Sequence, residues 1–168
     1  FYLWEQMVRG QLLIANRTAA AAHSLVQRLG AMRSGRVEAI TDEHVADRAP
    51  KADLIINATV KGQGGIRKLP DGRWTCLEPY SALGPASPEA FQPAPGQEPG
   101  FLEAWYQRSL KDIQRNQEMS LHVCARLPRA TACYDIIYAP LETTFLRHAR
   151  WSGHGTLNGN EMNVVQAV

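Results

Sequence analysis

The chain has 168 residues, 45% of them hydrophobic and 20% charged, with a formal charge of +2. Its length suits one domain with an appendage, and its composition is that of an ordinary globular protein. So small a charge gives no electrostatic case for nucleic acid, and no apolar run approaches the ~18 residues of a membrane span.

Residues 1 to 8, "FYLWEQMV", read as the tail of a helix closed by Gly10. No cap stands in front of them and no signal-peptide pattern is present, so the chain is expected to begin inside a longer protein. Residues 11 to 15 form a continuous apolar run, the pattern of a short parallel strand covered on both faces. Thr18 is the expected N-cap of an alanine-rich helix that Gly30 should stop. "RVEAI" (36 to 40) is a second strand. "TDEHVADRA" follows as one short helix, with Thr41 or Asp42 as its cap and Pro50 just beyond its end.

"ADLIINAT" (52 to 59) is the third strand. Strand and helix therefore alternate, which predicts a parallel α/β sheet with right-handed crossovers. The alternation then breaks. "VKGQGGIRKLPDGRW" reads as a glycine-containing loop, and 77 to 100 as a largely irregular proline- and glycine-rich segment. From residue 101 to 127 strong helix formers run without proline or glycine. Leu102, Trp105, Leu110, Ile113, Leu121 and Cys124 make a narrow, imperfect apolar stripe, expected on one or two helices at the surface. "ACYDIIYAP" (132 to 140) returns to buried-strand character. A helix over "LETTFLRHARWSG", a short extended "HGTLNG" and the start of a last helix in "NEMNVVQAV" complete the chain.

Cys76, Cys124 and Cys133 are odd in number and lack CxxC spacing, so they read as reduced thiols of a cytoplasmic protein. His148 and His154 have no HExxH or Cys/His cluster around them, so no metal site is expected.

The first strand ends on Asn16-Arg17-Thr18. In a dinucleotide-binding α/β fold the ligand lies across the carboxyl ends of the strands. A carboxylate at this strand end selects NAD through the ribose hydroxyls, and it would repel the 2′-phosphate of NADP. An amide followed by a guanidinium removes that repulsion and adds a planar donor fork, which Thr18 and the next helix's amides can extend. A second reading of the same three residues is a plain strand-to-helix turn with Thr18 as cap and Arg17 in solvent.

Three separated pieces, "LLIANRT", "ADLIINAT" and "YDIIYAPLETTFLRHARWSGHGTLNGNEMNVVQA", resemble in that order the shikimate dehydrogenase family. The resemblance covers residues 1 to about 60 and 132 to 168, the tail being its most specific part. It implies a Rossmann-like doubly wound parallel sheet and an oxidoreductase that reduces 3-dehydroshikimate to shikimate with NADPH, on the way to chorismate and the aromatic amino acids. Residues 1–168 would be the NADP-binding domain, with an insertion at about 66–130. By this resemblance Asn16, Arg17 and Thr18 hold the 2′-phosphate end of NADP, and Thr59 and Val60 lie along the cofactor. Ile137 flanks the nicotinamide, Gly159 offers its carbonyl to the nicotinamide amide, and Met162 packs on that ring. Tyr138 reaches the substrate carboxylate and Gln166 a substrate hydroxyl.

Three departures accompany the resemblance. Ala21 stands where the family has lysine or arginine, so one phosphate contact is lost. Some seventy residues separate the INAT and YDxxY strands, where the family's link is short. This insertion covers the cleft, packs beside the domain or forms a contact in a homodimer, and "KGQGG" at its start is a candidate phosphate-approaching loop. The family's catalytic lysine–aspartate pair belongs to an N-terminal substrate domain that this sequence does not contain. Lys51 and Asp53 sit at the wrong end of a strand to replace it, so these residues alone are expected to be inactive. Alternatives are a quinate dehydrogenase of the same family and a non-catalytic nucleotide-binding or assembly module. Glutamyl-tRNA reductase fits the GxxM…Gln tail less well, and a methyltransferase would want an acid near Asn16.

Overall fold

A computed structural model gives the fold, and it describes residues 10–32 and 36–160. The expected first and last helices lie outside the described residues, as do Met162 and Gln166. The chain divides into two compact units, Phe1–Asp47 and Arg48–Val168.

In the first unit β1 (Gln11–Ala15) and β2 (Arg36–Ile40) pair in parallel, from Gln11 opposite Arg36 to Ala15 opposite Ile40. Both occupy the residues their apolar runs predict. The helix α1 (Ala19–Met32) joins them and buries Ala22 and Leu29, seven residues apart on one face. Gly30 does not stop this helix. A glycine lowers helix propensity by only about 1 kcal/mol, and the last turn absorbs it. The expected helix over 41–49 is instead a chain of short turns: Asp42–His44, α2 (Val45–Arg48) and Ala49–Lys51, with Pro50 inside the last. Thr41 is the cap, but its hydroxyl pairs with His44 Nδ1 at 2.9 Å and bonds no backbone amide.

The second unit holds a parallel sheet of order β3 (Leu54–Asn57), β6 (Ala132–Asp135) and β7 (Gly155–Leu157). The helix α4 (Thr144–Trp151) packs on β6 and β7 and is itself packed by α3 (Phe101–Arg126). Asn57, Cys133 and Asp135 are buried on this sheet, while Leu54, Ile56 and Leu157 stay exposed on alternate positions. β3 and β6 are each four residues long, shorter than the runs 52–59 and 132–140, because Asn57 and Asp135 end them with side-chain hydrogen bonds.

The insertion is ordered. The segment expected as a loop contains a hairpin of β4 (Ile66–Lys68) and β5 (Trp74–Cys76), paired antiparallel. Three-residue strands are too short to reveal alternation, but the Pro70-Asp71-Gly72 turn was a usable signal. Gly72 takes φ +85° there, and Asp71 accepts from the backbone and guanidinium of Arg73. Cys76, Tyr80, Phe101, Trp105 and Ile113 form a core between hairpin, proline-rich segment and α3. The buried face of α3 runs through Phe101, Trp105, Ser109, Ile113, Asn116, Ser120 and Cys124, and Leu102 and Leu121 of the expected stripe are exposed. The polar members explain the imperfect stripe, since each bonds the proline-rich segment or its neighbours. Asn116 accepts from Ser81 N at 2.8 Å and donates to the carbonyls of Ser81 and Pro85 at 3.1 and 3.0 Å. The indole of Trp105 donates to Glu89 O at 2.9 Å, and Ser109 Oγ accepts from Glu89 N at 3.2 Å.

Candidate functional site

Two neighbouring strand ends in the second unit are tied together by side chains. Asn57, 2% exposed, turns its amide oxygen to Thr59 N (3.0 Å) and accepts from Thr59 Oγ1 (2.7 Å). Its amide nitrogen donates to Lys61 O at 3.0 Å and to the Asp135 carboxylate at 3.1 and 3.2 Å. Asp135 is fully buried and also accepts from Ile137 N at 3.0 Å and from Thr143 Oγ1 at 2.7 Å. Thr143 is in turn the N-cap of α4, accepting from Leu146 N. Burial pushes the Asp135 carboxyl above its ordinary value, and the hydrogen bonds from Thr143, Ile137 and Asn57 offset part of that rise.

This network sets the residues that follow each strand. Thr59 and Val60 leave β3 on the surface, while β6 delivers Ile137, buried, and Tyr138, 52% exposed. Ile136 N donates to Asn57 O at 3.1 Å, so the two exits stay side by side. Gly159 N donates to Ile137 O at 3.1 Å, and a Cβ at Gly159 would collide with the carbonyl of Ile136. Of the residues anticipated from the sequence, Thr59, Val60, Ile137, Tyr138 and Gly159 thus meet at the carboxyl ends of β3 and β6. Asn57, Asp135 and Thr143, which hold them there, carried no assigned role although all three lie inside the quoted motifs. Lys51 and Asp53 precede β3, at the opposite end of the strand.

Asn16, Arg17 and Thr18 belong to the first unit and are exposed. Asn16 Oδ1 accepts from Thr18 N at 2.8 Å, closing a turn at the end of β1. Thr18 O accepts from Ala21 N and Ala22 N, which starts α1. Arg17 has no ion-pair or hydrogen-bond partner among the described residues. An exposed guanidinium beside the first amides of a helix fits an anionic group. Ala21, exposed in the first turn, adds no charge there.

The KGQGG loop is not the phosphate cradle its glycines suggested. Lys61 N donates to Thr59 Oγ1 at 3.1 Å, Gly62 N to Leu77 O at 2.8 Å and Gln63 N to Val60 O at 3.1 Å. Gly64 N donates to Ala139 O at 3.0 Å, and Gly65 N to Glu78 Oε2 at 3.4 Å. Gly62 serves close packing instead. Gly62 has φ +98°, and a Cβ there would lie 3.0 Å from Thr143 Cβ. A cavity of about 360 Å³ opens between this loop, Val60 and the β4–β5 hairpin.

A separate buried cluster joins Ser120 Oγ to Ser81 Oγ (2.6 Å) and to His148 Nδ1 (2.9 Å). All three residues are buried, so this serine–histidine contact is a packing feature. Burial lowers the His148 pKa, with Arg147 adding to the effect. The cysteines are free and buried, and burial raises all three thiols, Cys124 to about 12 and Cys133 to about 11. No described helix is long and apolar enough to cross a membrane.

No protein-family model and no curated protein sequence matches this chain. Solved structures do share its fold. A quinate dehydrogenase from Corynebacterium glutamicum in complex with NAD superposes with TM-score 0.54 at 21% identity, over 94% of this chain and 38% of its own. A shikimate 5-dehydrogenase from Listeria monocytogenes in complex with shikimate and NAD gives TM-score 0.55 at 17% identity, over 92% and 39%. A shikimate dehydrogenase in complex with NADP+ gives 0.52 at 18%, over 93% and 38%. The fold is therefore the Rossmann-like α/β fold of these dehydrogenases, and the chain spans less than two-fifths of each.

Proposed function

We propose that this chain is the NADP-binding part of a dehydrogenase that interconverts 3-dehydroshikimate and shikimate. The observation that carries the reading is the meeting of Thr59, Val60, Ile137, Tyr138 and Gly159 at two adjacent strand ends, where open α/β sheets bind ligands. The likeness to dehydrogenases solved with NAD or NADP+ supports a nicotinamide dinucleotide as cofactor.

The bound dinucleotide supplies hydride exchange at its nicotinamide ring. The chain's own residues bind and orient. Arg17, unpaired among the described residues at the end of β1, is matched to a 2′-phosphate, with Asn16 and Thr18 shaping its turn. Ile137 and Gly159 form a wall fixed by their backbone bond, against which a flat ring rests. The exposed phenol of Tyr138 donates to a carboxylate without adding charge. Met162 and Gln166, by resemblance, complete the ring contact and a hydroxyl contact. By the resemblance the catalytic lysine–aspartate pair belongs to an N-terminal substrate domain, so on this reading the chain alone does not turn substrate over.

The test uses the full natural protein that carries this sequence, assayed with shikimate and quinate, each with NAD and NADP. Shikimate with NADP is the expected best pair. Arg17→Asp should raise KM for NADP by roughly tenfold to a hundredfold and leave NAD nearly unchanged. Equal losses for both cofactors would reduce Arg17 to a fold-supporting role, and a quinate preference would favour the sister activity.

A further inference from the structure

The cavity beside Val60 is built by the insertion and matches one kind of ligand. Its apolar wall is Val60, Ile66 and Leu77, its neutral polar group is the amide of Gln63, and Arg67 is its single charged lining residue. Arg67 sits on β4, exposed, and its guanidinium has no ion-pair or hydrogen-bond partner among the described residues. Glu78, which follows Leu77 of the cavity wall, accepts from Gly65 N at 3.4 Å. The cavity shares Val60 with the strand-end site, and Gly64 in its wall donates to Ala139 O, the carbonyl next to Tyr138.

Two chemistries compete for such a place. A diphosphate wants convergent backbone amides, and every amide from Lys61 to Gly65 is already engaged. An organic acid with a small ring wants an apolar wall, one cation and one amide, in a few hundred cubic ångströms. We infer that this cavity is a substrate subsite for a hydroxylated cyclic carboxylate, with the Arg67 guanidinium receiving the carboxylate and Gln63 a ring hydroxyl. The inference rests on the dehydrogenase reading and deepens it: a hairpin of the insertion supplies a second carboxylate-binding residue beside Tyr138.

The experiment compares wild-type full-length protein with Arg67→Gln and Arg67→Lys. The substituted side chain is exposed on a hairpin, so thermal midpoints should agree. In Arg67→Gln, KM for shikimate should rise about tenfold to a hundredfold, with kcat and KM for NADP within about twofold. Arg67→Lys should recover part of the loss, since an ammonium keeps the charge without the fork. An unchanged KM for shikimate overturns the subsite while the dehydrogenase reading stands. A rise confined to KM for NADP overturns it too, and assigns Arg67 to a cofactor phosphate. If the wild type turns over neither acid, the dehydrogenase reading fails, and calorimetric titration with shikimate decides the subsite. Binding that Arg67→Gln abolishes supports it, and absence of binding overturns it.

Discussion

Two strands of this chain end on the same local device. After β1 stands Asn-Arg-Thr and after β3 stands Asn-Ala-Thr, and in each the asparagine oxygen accepts the amide two residues on, at 2.8 Å for Asn16 and 3.0 Å for Asn57. Their surroundings differ. Asn16 is exposed and bonds only its own turn among the described residues, leaving Arg17 available to a ligand. Asn57 is buried and reaches a carboxylate seventy-eight positions away. One turn thus presents a side chain, and the other fastens two strands to a helix start. A three-residue motif fixes the bend of the backbone, and burial decides whether that bend displays or anchors.

Removing the anchor should have the largest effect. Asp135→Ala strips the acceptor from Asn57, Ile137 N and Thr143 at once, inside a buried site. A loss of about 3–5 kcal/mol is expected, read as a lower urea midpoint at unchanged slope. A loss below about 1 kcal/mol would show that water or rotation rescues the donors, and the contrast between the turns would be false.

The charge itself can be separated from the hydrogen bonds by pH. Burial raises the folded pKa of Asp135 above the unfolded value of 3.8, so between those two values the folded state holds more protons. Stability from this group is therefore greatest at acid pH and falls as pH rises through the folded pKa. Asp135→Asn lacks that contribution. The urea midpoint of the wild type relative to Asp135→Asn should fall as the pH rises above the unfolded value of 3.8, and a flat difference would mean the shift is absent.

The displaying turn should be the least sensitive. Asn16→Ala removes one exposed turn bond and should cost about 0.5–1 kcal/mol. A cost as large as that of Asp135→Ala would make both turns anchors and weaken the case for Arg17 as a ligand residue.

The contrast also marks what the sequence could convey. β1, β2 and α3 fall almost where their patterns end, because apolar runs and helix formers act over a few residues. β3 and β6 were read too long, because their ends are set by a bond between Asn57 and Asp135 that no local pattern contains. The stripe on α3 was misjudged where Ser109, Asn116 and Ser120 occupy buried positions by bonding a segment distant in the chain. Five of the anticipated site residues meet in the second unit because the quoted motifs are strand ends, and parallel neighbours bring strand ends together. The cavity near Arg67 was not legible, since a hairpin of three-residue strands builds it.

Lys61 adds a consequence for how the insertion can be handled. It directly follows Thr59 and Val60, and its ammonium donates to Gly84 O at 3.0 Å, while a Cβ at Gly84 would crowd the Asn116 backbone. The proline-rich segment is thereby latched to the strand exit at 81–85 and not at its far bend near Gly96, where an added Cβ meets nothing within 4 Å. A tag, reporter or cleavage site placed near Gly96 leaves the latch shut.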